Sequence, residues 1–209
     1  KDYVVGGTGY LQNAEAIGHG YTSNKVEHQA PTITWRFVAP RVHDFAWAAD
    51  PDYIHDMVAG PNDVELHFFY LDKPELKENW KKLQSDTIKM MAFFNETIGD
   101  YPYKQYSVLQ GGDGGMEYAM CTLITGERSY KSLFGVTAHE LAHSWFHHLL
   151  ATNESKHAWV DEGFTSFFDQ LAEYAILGGE GQLLSGSYNG YFRLVASGLE
   201  EPLTTHADR

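Results

Sequence analysis

Cysteine is nearly absent. Cys121 is the only one in 209 residues, so no disulfide can form within the chain, and cysteine usage leaves the redox compartment undecided. No run of eighteen apolar residues occurs, which removes a membrane-spanning helix from consideration. Basic residues are scarce: 15 Lys and Arg stand against 28 Asp and Glu, a net charge of −13 at pH 7. Nucleic-acid binders carry basic patches, and anionic membrane surfaces repel such a chain. The field instead favours cationic ligands, weakly. There is no initiator methionine, signal peptide, internal repeat or low-complexity linker. The chain opens at Lys1-Asp2-Tyr3 and is expected to be an excised piece of something longer. Nothing in it fixes a compartment. What is plentiful is apolar and aromatic content, 43% and 14%, which suits a well-packed globular protein.

The first seventy residues read as strands and turns. Gly6-Gly7-Thr8-Gly9 is turn-rich but lacks the context of a phosphate loop. Residues 32–37 (T-I-T-W-R-F), 42–48 and 63–70 (D-V-E-L-H-F-F-Y) read as strands. His43 and Asp44 sit in the second; neighbours on a strand point to opposite faces, so they are expected to serve structure rather than form a catalytic pair. A helix is predicted over about 72–98, with Leu76, Trp80, Leu83, Met91, Phe94 and Ile98 on one apolar stripe and Gly99 at its end. A strand at 106–110, a glycine-rich bend at 111–115 and an apolar run over 119–125 follow. Two more helices are predicted over about 130–150 and 159–177, and another over 182–197. The shift from strands to helices near residue 70 suggests a domain boundary.

The helix over 130–150 carries the chemistry. His139, Glu140 and His143 form H-E-x-x-H. Residues four apart on a helix differ by about 40° in azimuth, so both imidazoles share a face and can reach one divalent cation. Flanking Val136, Ala138, Leu141, Ala142, Trp145 and Phe146 make the helix largely buried. Two His and a Glu in such surroundings are costly unless paired or bound to metal. Eighteen residues after His143, Glu162 stands in W-V-D-E-G-F, ready to act as a third ligand from a second helix. Glu140 would lean toward a metal-bound water as general base. The metzincin pattern fails, because Phe146 and Leu149 occupy the positions it needs as Gly and His. His147 and His148 read as residues near a helix C-terminus, where histidine is favourable, not as further ligands. Glu117, just past the glycine-rich bend, reads either as an exposed acid on a hairpin turn or as a group placed to protrude into a cleft.

Three features coincide in order: G-G-M-E-Y at 114–118, H-E-x-x-H at 139–143 and W-V-D-E-G-F at 159–164. Together they resemble the aminopeptidase N-like gluzincin family, which also holds leukotriene A4 hydrolase. The resemblance implies an α+β chain. Residues 1–70 would be the end of an N-terminal β domain. Residues 71–209 would be the first part of a mostly helical, thermolysin-like zinc metallopeptidase domain with a small sheet, truncated at its C-terminal side. It implies one zinc ion per chain on His139, His143 and Glu162, with Glu140 as general base. Glu117 would bind the free α-amine of a peptide, and Gly114, Gly115 and Met116 the peptide backbone. The partners implied are peptides with free N-termini.

Two positions depart from the family pattern: Tyr118 stands where Asn is usual, which touches the pocket for the first side chain, and Asp161 where many relatives have Asn. Asp161 reads equally as a group orienting a ligand or as an exposed acid. The family's oxyanion-stabilising tyrosine would lie about sixty residues past Glu162, beyond Arg209, and Tyr188 and Tyr191 are too close to match. Loss of such a donor costs on the order of 10²–10³ in rate, so the 209-residue piece is expected to bind zinc and hydrolyse poorly. The rival readings are a thermolysin-type endopeptidase and a zinc-binding scaffold without catalysis; epoxide hydrolysis, found in one family branch, stays open.

Overall fold

Strand β6 (Glu65–Leu71) lies inside the main sheet, covered on both faces, and its sequence explains why. Five successive residues, Leu66 to Tyr70, are buried, which requires cover on both faces of the sheet. Leu66, Phe68 and Tyr70 point toward the helices and join Trp80, Leu83, Met90 and Phe94 in the main core. Phe69 points the other way and packs with Val4, Leu109 and Cys121. The computed structural model describes residues 1–112, 114–179, 182–206 and 208.

The N-terminal segment contributes β1 (Val4–Gly7), β2 (Tyr10–Leu11), α1 (Ala14–Ile17), β3 (Phe37–Val38) and β4 (Trp47–Asp50). These form two small antiparallel pairs, β1 with β4 and β2 with β3. The main sheet adds β5 (Tyr53–Ala59), β7 (Gln105–Gly111), β8 (Gly115–Tyr118) and β9 (Cys121–Thr125) to β6, in the order β5-β6-β7-β9-β8. Pairing is parallel from β6 through β7 to β9 and antiparallel at both ends. Helix α2 (Pro74–Thr97) crosses from β6 to β7, its Trp80 stacked on Tyr70 at 5.1 Å. Helix α3 (Tyr130–His143) continues into a π-helical stretch over Ser144–Leu149. Then come α4 (Glu154–Ala158), a second π-helical stretch over Trp159–Gly163, α5 (Phe164–Leu177) and α6 (Ser185–Ser197). The α+β class and the small sheet match expectation. Among the described residues no helix is long and apolar enough to cross a membrane.

The structure corrects several boundaries. A division at residue 70 falls inside the main sheet: β6 pairs with β7 from Glu65↔Gln105 to Phe69↔Leu109, so the two sides of that cut share one core. Of the strand expected at 32–37 only Phe37 falls in a strand, β3. Asn13 takes the backbone groups there: its Nδ2 donates to Thr34 O and its Oδ1 accepts from Arg36 N. The strand expected at 42–48 is confined to Trp47–Asp50, because the Asp44 carboxylate accepts from Ala119 N and the Thr8 hydroxyl from Ala46 N. β5 was not expected, since His55 and Asp56 break its apolar pattern. They are satisfied internally, His55 against His67, and Asp56 by Tyr70, Lys81 and Gln84.

Asp86, buried on α2, ties that helix to α3 by accepting from the Tyr130 hydroxyl, and also accepts from Lys89 Nζ of its own helix at 2.6 Å. Burial alone would raise its pKa, but the two donors outweigh it and hold the carboxyl below its usual value. A depressed carboxylate stabilises the fold above the unfolded pKa, about 3.9, and that stability is lost as pH falls through the folded value. Asp86→Ala should lower the unfolding free energy by about 1–3 kcal/mol at pH 7, measured from urea midpoints, and the gap to wild type should shrink at about pH 3.

Candidate metal centre

The apolar face of α3 fixes where its histidines point. Leu133, Phe134, Ala138, Leu141 and Ala142 are fully buried against α2, α5 and the sheet, which turns His139 and His143 toward α5. Their Nε2 atoms lie 3.2 Å apart. Each ring is oriented from behind. His143 Nδ1 lies 2.7 Å from Asp161 Oδ1, and His139 Nδ1 lies 2.7 Å from Asp169 Oδ2. A carboxylate can only accept, so each Nδ1 carries the hydrogen and each neutral ring presents a lone pair at Nε2. Glu162 Oε2 completes the group, 3.2 Å from His139 Nε2 and 3.8 Å from His143 Nε2.

Three lone-pair groups that converge in this way repel unless something positive sits among them. A proton can serve: burial would lower the His139 pKa, but Asp169 and Glu162 raise it to about 10. A divalent cation can take that place. Tetrahedral zinc with bonds of about 2.0–2.1 Å sets its ligands about 3.3 Å apart, so the 3.2, 3.2 and 3.8 Å spacings fit the ion.

Asp161 and Glu162 are sequence neighbours, yet both address the histidine pair. They lie in the π-helical stretch Trp159–Gly163, whose wider turn makes this possible. Such turns concentrate at functional sites. Asp161 is buried and held well below the usual carboxylate range: its burial acts upward, and the bonds from His143 and His147 outweigh it. Of the two readings of this residue, the structure supports the orienting group. Asp169 was missed by the sequence reading. It stands seven residues past Glu162 on α5, two helical turns along one face, and that spacing was the available signal.

Strand β8 ends the main sheet and lies against α3. Glu117 on β8 is buried, and its carboxylate, that of Glu140 and a ring nitrogen of His143 lie within 4.8 Å of one another. Burial raises the Glu117 pKa. Glu140 is 6% exposed, and its Oε2 has no hydrogen-bond partner. Burial, reinforced by Glu117 and Glu162 and opposed by His139 and His143, pushes the Glu140 carboxyl up to about 7. Gly115 makes the approach possible, because a Cβ there would collide with Glu140 Oε1 and Val136 Cγ2. The Gly114 carbonyl accepts from Thr125 N at 2.9 Å and from Arg128 Nη2 at 3.1 Å. Met116 is exposed. The structure thus gathers His139, Glu140, His143, Glu162 and Glu117 in one place, with Gly114, Gly115 and Met116 on the adjoining edge. His147 stays outside the ligand triad, with Nδ1 3.5 Å from Asp161 Oδ2.

Residues 83–186 match the family model of the Peptidase family M1 domain. The chain is 30% identical over 126 residues to leucine aminopeptidase 2 of Neurospora crassa, covering 56% of this chain and 18% of that protein. It is 33% identical over 106 residues to a leukotriene A-4 hydrolase homolog of Botryotinia fuckeliana, covering 46% of this chain and 16% of that protein. The chain therefore spans under a fifth of the length of the curated relatives it matches. Its fold is that of a mutant M1 zinc metallopeptidase from Deinococcus radiodurans bound to a Tyr-Ser-Ala substrate, with a TM-score of 0.65 at 18% identity over 98% of this chain and 44% of that one. The family resemblance carried by the three motifs is borne out.

The carboxylates behind the imidazoles lead to a direct expectation. Asp161→Asn and Asp169→Asn should each weaken divalent-metal affinity about 10–100-fold, measured by competition with a chelator, while the fold persists by circular dichroism.

Proposed function

From a chain whose residues 83–186 carry the peptidase family M1 domain, we propose the metal-binding part of a zinc-dependent aminopeptidase that removes the N-terminal residue of peptides. The observation that carries this reading is Glu117: a buried carboxylate on the edge strand, beside the general-base candidate and one ligand histidine. Zinc bound to His139, His143 and Glu162, one ion per chain, would lower the pKa of a water in its open position toward about 7 and polarise the scissile carbonyl.

The remaining steps belong to the protein. A peptide lies along the outer edge of β8 as an added strand, at Gly114, Gly115 and Met116. Its α-ammonium pairs with Glu117, which sets the first carbonyl at the histidine pair. Glu140, with an unpartnered oxygen facing the same space, takes a proton from the attacking water and delivers it to the departing amine. A blocked N-terminus would leave Glu117 buried and unpaired, so such a substrate is rejected. The peptide bound by the Deinococcus enzyme, of the same fold, supports a peptide substrate here.

The test compares a peptide bearing a free N-terminus with its acetylated twin, using the purified full-length protein of known zinc content. Only the free peptide should be cleaved, and a chelator should abolish that cleavage. Cleavage of both would replace the aminopeptidase with an endopeptidase; zinc with cleavage of neither would leave a binding scaffold or another hydrolase. Glu140→Gln should keep zinc and lose turnover by a factor of about 10² or more, within the range of general-base contributions. Glu117→Ala should raise KM for free N-termini and narrow the preference over acetylated peptide. Gly115→Ala should reduce turnover with zinc retained, since the new methyl displaces Glu140.

A further inference from the structure

Three histidines unused by this chemistry meet on the far side of Asp161. His43 comes from the irregular segment ahead of β4, and His147 and His148 from the π-helical stretch that follows α3. The ring centroids of His43 lie 5.2 Å from those of His147 and 5.1 Å from those of His148, and the latter two are 4.7 Å apart. One ring nitrogen from each lies within 4.8 Å of the others. Two of these side chains are withdrawn from solvent: His148 is 6% exposed, and the His147 side chain 12%.

We propose that His43, His147 and His148 form a second divalent-cation site, of the borderline-soft kind that takes zinc, copper or nickel.

The second observation is an unmet demand. Neither ring nitrogen of His148 has a hydrogen-bond partner. A buried imidazole with both nitrogens unpartnered carries the desolvation cost of two polar atoms, which a metal bond would offset. Burial, with His147 and His43 nearby, lowers the His148 pKa to about 3, so the ring offers lone pairs rather than a positive charge. The groups facing the cluster favour a cation. Asp44 and Glu154 line a surface pocket of about 540 Å³ that also exposes His43 and His147 and gives an ion a way in. Asp161 faces His147 from the second π-helical stretch.

The position is held from outside: the Asp44 carboxylate accepts from Ala119 N at 2.8 Å, which anchors the segment carrying His43 to the turn between β8 and β9. Imidazole donors select zinc, copper and nickel over magnesium and calcium. The site is distinct from the His139–His143–Glu162 triad, although His147 and His143 both approach Asp161.

Zinc itself is the probe. The full protein, stripped with chelator and dialysed, is titrated with Zn²⁺ by calorimetry, and bound metal is counted by elemental analysis. Wild type should bind two equivalents, the second more weakly. His43→Ala, at an exposed position, should lose the second equivalent and keep the first, with an unchanged melting temperature in the metal-free state. Glu162→Ala should weaken the first and keep the second, so failure of the proposed catalytic centre and failure of this site give different patterns. A single equivalent in wild type overturns the proposal. A second equivalent that survives His43→Ala also overturns it, and places the ion among Glu117, His147, Glu154 and Asp161 instead.

Discussion

The centre depends on two hydrogen bonds that no reacting group would touch. Asp161 accepts from His143 and Asp169 from His139, each at 2.7 Å. Each bond fixes a tautomer and a ring direction together, because a carboxylate has no proton to give. Without them the imidazoles could rotate, and the 3.2 Å approach of the two Nε2 atoms would relax. Much of the surrounding structure serves to hold those two acids. The π-helical stretch Trp159–Gly163 puts Asp161 behind one ring while Glu162, the next residue, reaches the front of both. The regular α5 brings Asp169 back two turns later.

A second constraint is the closeness of a strand to a helix. β8 ends the sheet, and its Gly115 leaves room for Glu140 to lie where any side chain would collide. The same strand offers an outer edge that no described strand pairs. Strand, general-base candidate and amine-binding candidate thus stand in one register: Gly115 beneath Glu140, and Glu117 two residues on, on the same face. The sheet sets this register from within, since β9 pairs with both β8 and the central β7, and β7 with β6.

The elements best legible in the sequence were those whose pattern local physics dictates. Leu76, Trp80, Leu83, Met91 and Phe94 recur at helical spacing, and α2 follows within two residues of the predicted bounds. His139 and His143 share a face because four residues nearly complete a helical turn. Elsewhere side chains overrode the backbone pattern. The β-branched run at 32–37 reads as a strand, but Asn13 satisfies its backbone groups from another segment. β5 was hidden because its polar residues find buried partners that only the folded chain reveals. The π-helical stretches carry no periodic signal, and with them went the position of His147 and His148. A division at residue 70 followed composition, whereas the sheet follows hydrogen bonding across that point.

Charge balance ties the parts together. Five carboxylates crowd the centre, namely Glu117, Glu140, Asp161, Glu162 and Asp169, and among the described residues no lysine or arginine is ion-paired to any of them. The cationic partners present are imidazoles, which become neutral when they ligate a metal. Burial has already driven the pKa of Glu117, Glu140 and Asp169 upward, the mark of carboxylates short of positive charge. In the proposed reading, a divalent ion at His139, His143 and Glu162 would supply two positive charges on one side of Glu140. An α-ammonium at Glu117 would supply one more on the other. A neutral or acetylated chain end leaves the second side uncompensated at a buried position. On this argument, the proposed preference for a free N-terminus would not be a contact added to a working site; it would complete a charge arrangement that metal alone leaves unfinished.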